Sequence, residues 1–111
     1  MATQREPIPP GTLDMLILQT LARHRELHGF EIAEAIERAS AKVLQVEEGS
    51  LYPALQRMLI KGLVVAEWGR TAENRRARYY RLTALGRRHL GHEVESYRRV
   101  SVAIDRILQP A

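Results

Sequence analysis

Apolar residues first recur at a helical interval at Leu13, Leu16, Ile17, Thr20 and Leu21, which share one face of a 3.6-residue period. Thr12 stands where an N-cap belongs, and the pattern fades near Arg23. A polar stretch from Arg25 closes on Gly29. Beyond it Ile32, Ala33, Ile36 and Ala39 repeat the spacing, with Glu31, Glu34 and Glu37 on the other face. These acids suit the dipole of a second helix but would repel a phosphate backbone that faced them. A third helix follows from Leu51, Leu55, Met58 and Leu59, and Pro53 limits where it can begin, because proline is tolerated only in a first turn. With Ser50 as N-cap, Pro53 takes the third helical position, where its missing N–H would have no intrahelical partner. Tyr52 precedes that proline and is pushed away from helical geometry, so the start is open by a residue or two. Gly62 is the stop.

The period then changes. Leu63 to Trp68 is a short β-branched run and Arg78 to Leu82 a second one, read as paired strands. The polar stretch from Gly69 to Arg76 is too long for a two-residue turn and reads as a projecting hairpin loop. Thr83 caps a last helix in which Leu90, Val94, Tyr97, Ser101, Ile104 and Leu108 are spaced 4, 3, 4, 3 and 4, a heptad seam widened by Val100 and Ile107. From Ala84 to Leu108 it would be about 37 Å long at 1.5 Å per residue, too long to be covered by so small a core. Self-pairing would bury its outer end. The early seam residues are expected to pack on the first helix and the later ones to serve a dimer.

Three helices, a basic hairpin and a long helix, in that order, define a mainly α fold with a small β-hairpin: a winged helix-turn-helix plus a long C-terminal dimerisation helix. Pro7, Pro9 and Pro10 deny residues 1–10 a regular ladder, so these are expected to form a flexible arm. Residues 11–86 form the winged domain, and residues 84–111 the dimerisation helix.

Composition narrows the function. A chain of 111 residues allows one domain, and the absence of cysteine excludes disulfide staples, thiolate chemistry and Cys-based zinc sites. No apolar run reaches bilayer length, and the first ten residues are too polar for a signal peptide, so a cytoplasmic protein with no membrane partner is expected. The net charge of +4 says little until it is resolved along the chain. Residues 1–48 sum to −3, whereas residues 69–92 carry seven Arg against Glu73 alone and sum to +6. That asymmetry points to an anionic partner. Of the 17 basic residues 15 are Arg, a bias that a GC-rich genome also produces.

Catalytic chemistry finds no support. There is no nucleophile elbow, phosphate-cradling glycine loop or identifiable carboxylate pair. His24 and His28 have the i, i+4 spacing of a metal pair but lack the His-Glu-x-x-His order, and His89 and His92 read as surface residues or core partners. No cofactor and no metal are expected. Trp68 and Tyr97 offer rings to a flat effector, but no polar set converges with them, so a small-molecule effector remains unassigned.

The stretch Gly49-Ser50-Leu51-Tyr52-Pro53-Ala54-Leu55-Gln56-Arg57-Met58-Leu59, with Lys61-Gly62-Leu63-Val64, resembles the recognition-helix signature of the PadR-like transcriptional regulators. His28-Gly29-Phe30-Glu31-Ile32 is similar to that family's second-helix start, with Phe in place of Tyr, and Arg78-Tyr79-Tyr80-Arg81-Leu82-Thr83 with Gly86 to its wing end. The resemblance implies a dimeric, usually repressing, protein that binds double-stranded DNA and pairs through its C-terminal helices. By position in the motif Ser50, Tyr52 and Pro53 open the recognition helix toward the major groove. Tyr52 and Ser50 then meet phosphate or base edge, Gln56 reaches an adenine edge and Lys61 meets the backbone. Tyr52 has a rival role, packing its ring beneath the wing. Arg70, Asn74, Arg75 and Arg76 grip the adjacent groove or phosphates. Arg78 and Arg81 lie on opposite strand faces, so at most one, taken as Arg78, points toward DNA. The competing reading is a winged-helix adaptor that binds protein instead of DNA, since fold alone does not fix function.

Overall fold

The computed structural model describes residues 4–110. Its elements are β1 (Glu6–Pro7), α1 (Leu13–Arg23), β2 (Leu27–His28), α2 (Gly29–Ala39), β3 (Leu44–Gln45), α3 (Glu48–Ile60), β4 (Val64–Arg70), β5 (Arg76–Leu82) and α4 (Ala84–Leu108). One antiparallel sheet has the order β2-β5-β4, and β1 pairs with β3 in parallel. The arrangement is a winged helix-turn-helix with a long helix behind it.

Helix α1 is the hub, in contact with α2, α3, α4 and β5. Neighbours on several sides bury Met15 and Leu18 as well as Ile17 and Leu21, whereas Leu13 and Leu16 are only partly covered. The single expected face is therefore too narrow. Thr12 is the N-cap residue, but its hydroxyl donates to the Pro9 carbonyl at 2.8 Å instead of accepting from the helix. In α2 the buried set is Gly29, Ile32, Ala35 and Ile36, with Ala35 in the place expected for Ala39. Gly29 opens this helix rather than closing the turn before it, and the Glu31 carboxylate accepts from the His28 N–H at 3.1 Å. Leu51, Ala54, Leu55 and Met58 from α3 and Val64 and Tyr80 from the hairpin complete the core.

Helix α3 begins earlier than the Ser50 cap implies: its N-cap is Glu47, and Pro53 is the sixth helical residue. The proline removes one bond to the carbonyl four residues back, at exposed Gly49, where water can replace it. Three buried neighbours in α3 hold the turn helical despite the bias on Tyr52. In the hairpin the strands extend inward to Arg70 and Arg76 and are in register throughout, so the loop is only Thr71 to Arg75. Thr71 N–H donates to the Arg75 carbonyl at 2.8 Å, and Asn74 turns the chain with φ of 62°.

The N-terminal segment is partly ordered by pairing. Met1 to Thr3 of the expected arm lie outside the described residues, but Glu6 and Pro7 run beside Leu44 and Gln45, and the Glu6 N–H donates to the Val43 carbonyl at 2.7 Å. Pro7 does not prevent this, because an edge strand can leave one N–H side unused. Glu37 ties the parts together: its carboxylate accepts from the Val46 N–H at 3.0 Å and pairs with Arg5 at 3.0 Å. The Val46 hydrogen bond, helped by Arg5 and opposed by burial, holds this carboxyl below the usual carboxylate range. A depressed native pKa contributes stability above the unfolded pKa that is lost as pH falls through the native value. Glu37→Gln is therefore expected to melt below the parent at pH 7 and to match it near pH 3. Parallel melting curves with a constant gap would refute the linkage.

Thr83 caps α4 as expected, accepting from the Gly86 N–H at 2.9 Å. Leu90 is buried and Val94 packs against the core; Tyr97, Val100, Ile104, Ile107 and Leu108 are exposed and Ser101 is half-buried. The helix leaves the core about midway.

Candidate nucleic-acid interface

One side of α3 is used up by the core, and the other presents Ser50, Tyr52, Pro53 and Gln56, with Lys61 at the C-cap, all exposed. Arg57 is held to α1 by an ion pair with Asp14 at 3.0 Å. The earlier helix start changes what the N-terminus can do. The Ser50 and Leu51 N–H groups donate to the Glu47 carbonyl, both at 3.0 Å, so they are no free phosphate donors. Glu48 and the Glu47 cap residue also put carboxylates at this end. The polar side chains of α3 are therefore its main offer to an anion, since Glu47 and Glu48 crowd the helix start with negative charge.

Tyr52 packs against the start of α2 and is still half open to solvent. Its ring lies on Gly29, where an added Cβ would come within 2.7 Å of Cε1 and 2.8 Å of the hydroxyl, yet the residue remains 47% exposed. Glycine at the start of α2 thus leaves the space that the Tyr52 ring of α3 takes up.

The hairpin has two chemically distinct faces. On one, Glu67 and Arg81 pair at 3.1 Å, Tyr79 donates its hydroxyl to the Arg70 carbonyl at 3.1 Å, and His28 meets the Tyr79 ring edge-on at 5.3 Å. Burial, with Glu31, Glu26 and Glu73, raises the Tyr79 pKa, so its hydroxyl stays a donor. A recess of about 680 Å³ beside this face is lined by Glu31, Glu34 and Glu73 together with Arg75. Two of the three acids of α2 therefore face this recess, away from Glu37. On the other face stand Trp68, Arg76 and Arg78, with the Arg76 guanidinium 4.4 Å and the Arg78 guanidinium 5.7 Å from the indole centroid. A second recess, of about 350 Å³, lies between them and Tyr52, with Phe30 and Tyr80 also in its wall.

Structure thus brings Tyr52, Arg76 and Arg78 to one recess. Ser50, Gln56 and Lys61 lie on exposed α3 surface, and Arg75 sits at the loop. Arg70 donates to the Asn74 carbonyl at 3.2 Å, and Asn74 shapes the loop, so both have structural tasks as well. Phe30 and Trp68 were missed as neighbours of this site, and Tyr97 does not line the recess. The rings that converge come from α2, α3, β4 and β5, and no local sequence pattern links them. Among the described residues no group of three or more His, Cys, Asp or Glu could hold a metal ion, and no helix is long and apolar enough to cross a membrane.

Comparison with known proteins agrees with this geometry. The model of the transcriptional regulator PadR-like family matches residues 17–92. An uncharacterised protein from Lysinibacillus sphaericus is 30% identical over 105 residues, covering 95% of each chain. A PadR family transcription regulator from Clostridium difficile superposes with a TM-score of 0.75 at 27% identity, over 89% of this chain and 100% of that one. A PadR-like transcriptional regulator from Bacillus cereus gives 0.74 at 27%, over 91% and 95%. A transcriptional regulator from Clostridium thermocellum, 24% identical, shares the fold with a TM-score of 0.80 over 89% and 95%. An α3 side of exposed polar groups beside an Arg-rich wing defines a DNA-binding winged-helix protein. The chain belongs to the PadR-like family of transcriptional regulators, and it is a DNA-binding regulator, not an enzyme. The protein-adaptor reading loses its ground with that membership.

Proposed function

We propose that this protein is a cytoplasmic homodimeric repressor that binds an inverted-repeat operator and blocks polymerase. In this reading Ser50, Tyr52, Pro53 and Gln56 enter the major groove, Lys61 meets the backbone, and Arg70, Asn74, Arg75, Arg76 and Arg78 hold the flanking groove or phosphates. The carrying observation is that five of the seven arginines of the +6 segment, Arg70, Arg75, Arg76, Arg78 and Arg81, stand on a hairpin next to the exposed side of α3. Arg75 and Arg76 are exposed at its tip, and among the described residues neither is in an ion pair within 4.0 Å. Two copies joined through α4 would present two recognition helices, matching half-sites about 34 Å apart, one helical turn of DNA.

Fluorescence anisotropy across a salt series tests the electrostatic part. Neutralising on the order of three phosphates per protomer gives a slope of about −5 in log K against log salt, and a flat response would remove the argument. Arg75→Ala with Arg76→Ala is expected to weaken all duplexes alike and to reduce the slope by about 3.5 if each guanidinium meets one phosphate. Gln56→Ala is expected instead to change sequence preference. Selection from a random duplex library reads symmetry and half-site spacing together; non-palindromic winners would overturn the inverted repeat.

A further inference from the structure

Trp68 is 58% exposed on the hairpin, an unfavourable place for an indole with no task. It stands directly across from Arg78 in the strand register, and the Arg76 guanidinium covers its ring at 4.4 Å. Among the described residues neither arginine has a carboxylate partner within 4.0 Å, whereas Arg81 on the opposite face is paired with Glu67. The Arg78 Nε is shielded from solvent and has no hydrogen-bond partner among the described residues, so this N–H has lost water without gaining an acceptor and the charge it shares with the Nη groups is left unbalanced. An anion at the Nη end of the fork would compensate. The recess next to it contains no carboxylate and is walled by Tyr52, Phe30 and Tyr80, with Gly29 leaving room at the α2 start.

We propose that Trp68 is a positioning residue that holds Arg76 and Arg78 at the mouth of this recess. There the two guanidinium groups seat one phosphodiester of the DNA backbone, with its deoxyribose against the Tyr52 and Phe30 rings. The inference rests on the DNA-binding reading and adds a specific seat to it. A phosphodiester suits the site better than a stacked base, because guanidinium forks match phosphate oxygens and the indole face is already occupied by Arg76. Cation–π contact restricts the arginine rotamers before DNA arrives, so less entropy is lost on binding.

The test titrates the full-length parent, Trp68→Ala, Trp68→Phe and Arg78→Gln against a selected and an unrelated duplex over a salt series, with melting curves for each protein. Trp68→Ala is expected to weaken both duplexes at least tenfold and to lower the salt slope of the two-protomer complex by about 1.8, one phosphate per protomer. Arg78→Gln should reproduce that loss of slope, the double variant should add little to it, and Trp68→Phe should restore most of it. An unchanged affinity in Trp68→Ala, or a weakened affinity with the parental slope, overturns the seat. Should Trp68→Ala fail to fold, Arg78→Gln and Trp68→Phe decide, and a parental slope in Arg78→Gln overturns it. A parent that binds neither duplex at low salt removes the DNA-binding reading itself. A parent that binds beside an unaltered Trp68→Ala removes only the seat.

Discussion

Gly86→Ala is expected to destabilise the protein by about 3 kcal/mol or more, because the added methyl overpacks a backbone junction that cannot yield. An ideal Cβ there overlaps the Leu63 carbonyl oxygen and lies 2.8 Å from Leu82 Cδ1. The junction is closed by hydrogen bonds. Thr83 N–H donates to the Leu63 carbonyl at 3.1 Å, and the Thr83 hydroxyl lies 2.7 Å from the Gly62 carbonyl while accepting from the Gly86 N–H. Moving α4 outward to admit a methyl would break these bonds and uncover Leu90. Gly91→Ala is the control of opposite sign. It also lies in α4, nothing is within 4 Å of its added Cβ, and removing a helix-interior glycine contributes roughly 0.5–1 kcal/mol of stability. Urea denaturation midpoints of the two variants should bracket the parent. If both moved the same way, the close approach of α4 to the start of β4 would be wrong.

The second large effect concerns assembly. Ile104→Glu with Leu108→Glu is expected to convert a dimer into a monomer while leaving the winged domain folded. Val100, Ile104, Ile107 and Leu108 are all about half exposed or more in the single chain, beyond the point where α4 leaves the core. A stripe of this kind at heptad spacing is stabilised by a second copy of itself, and each buried Ile or Leu contributes roughly 1.5–3 kcal/mol. Four new carboxylates in the seam would add repulsion, so the dimer should weaken by a factor on the order of a thousand or more. Sedimentation equilibrium reads the change directly. The monomer should retain the parental melt at low concentration and bind a single half-site as before, while losing its advantage on a two-site duplex. An unaltered mass for the variant would mean that the seam serves some other contact, and the homodimer reading would fall with it.

Helices were legible where one side faces water throughout. In α4 both ends were readable, because Thr83 is a true cap and the chain stops offering apolar residues after Leu108. Helix α1 was read less well. Its Met15 and Leu18 look like outward positions until several neighbours surround them, and periodicity assumes one buried stripe. The start of α3 lies earlier than its local sequence implies for a related reason. Local preferences at Tyr52 and Pro53 argued for a beginning at Ser50, and burial of Leu51, Ala54 and Leu55 outweighed them. In the hairpin Gly69, Arg70 and Arg76 look like loop residues in sequence, although cross-strand pairing carries all three into the ladder.

For the candidate interface, element order and motif resemblance point to a recognition helix and a wing, and summing charge along the chain locates the basic segment. Both are properties of neighbours in sequence: a period of 3.6, a period of 2 and a run of arginines. The order of elements sufficed for the winged fold as well, because short connections leave few ways to pack three helices and a hairpin. Which arginines remain free for an anion needed the folded chain. Arg57 is taken by Asp14 and Arg81 by Glu67, pairs separated by 43 and 14 positions, whereas Arg76 and Arg78 are left with Trp68. The aromatic recess likewise draws on four elements that meet only after packing. Charge pairing and cavity walls depend on distances across space, and only the pairing of β4 with β5 and the packing of the helices beside them set those distances.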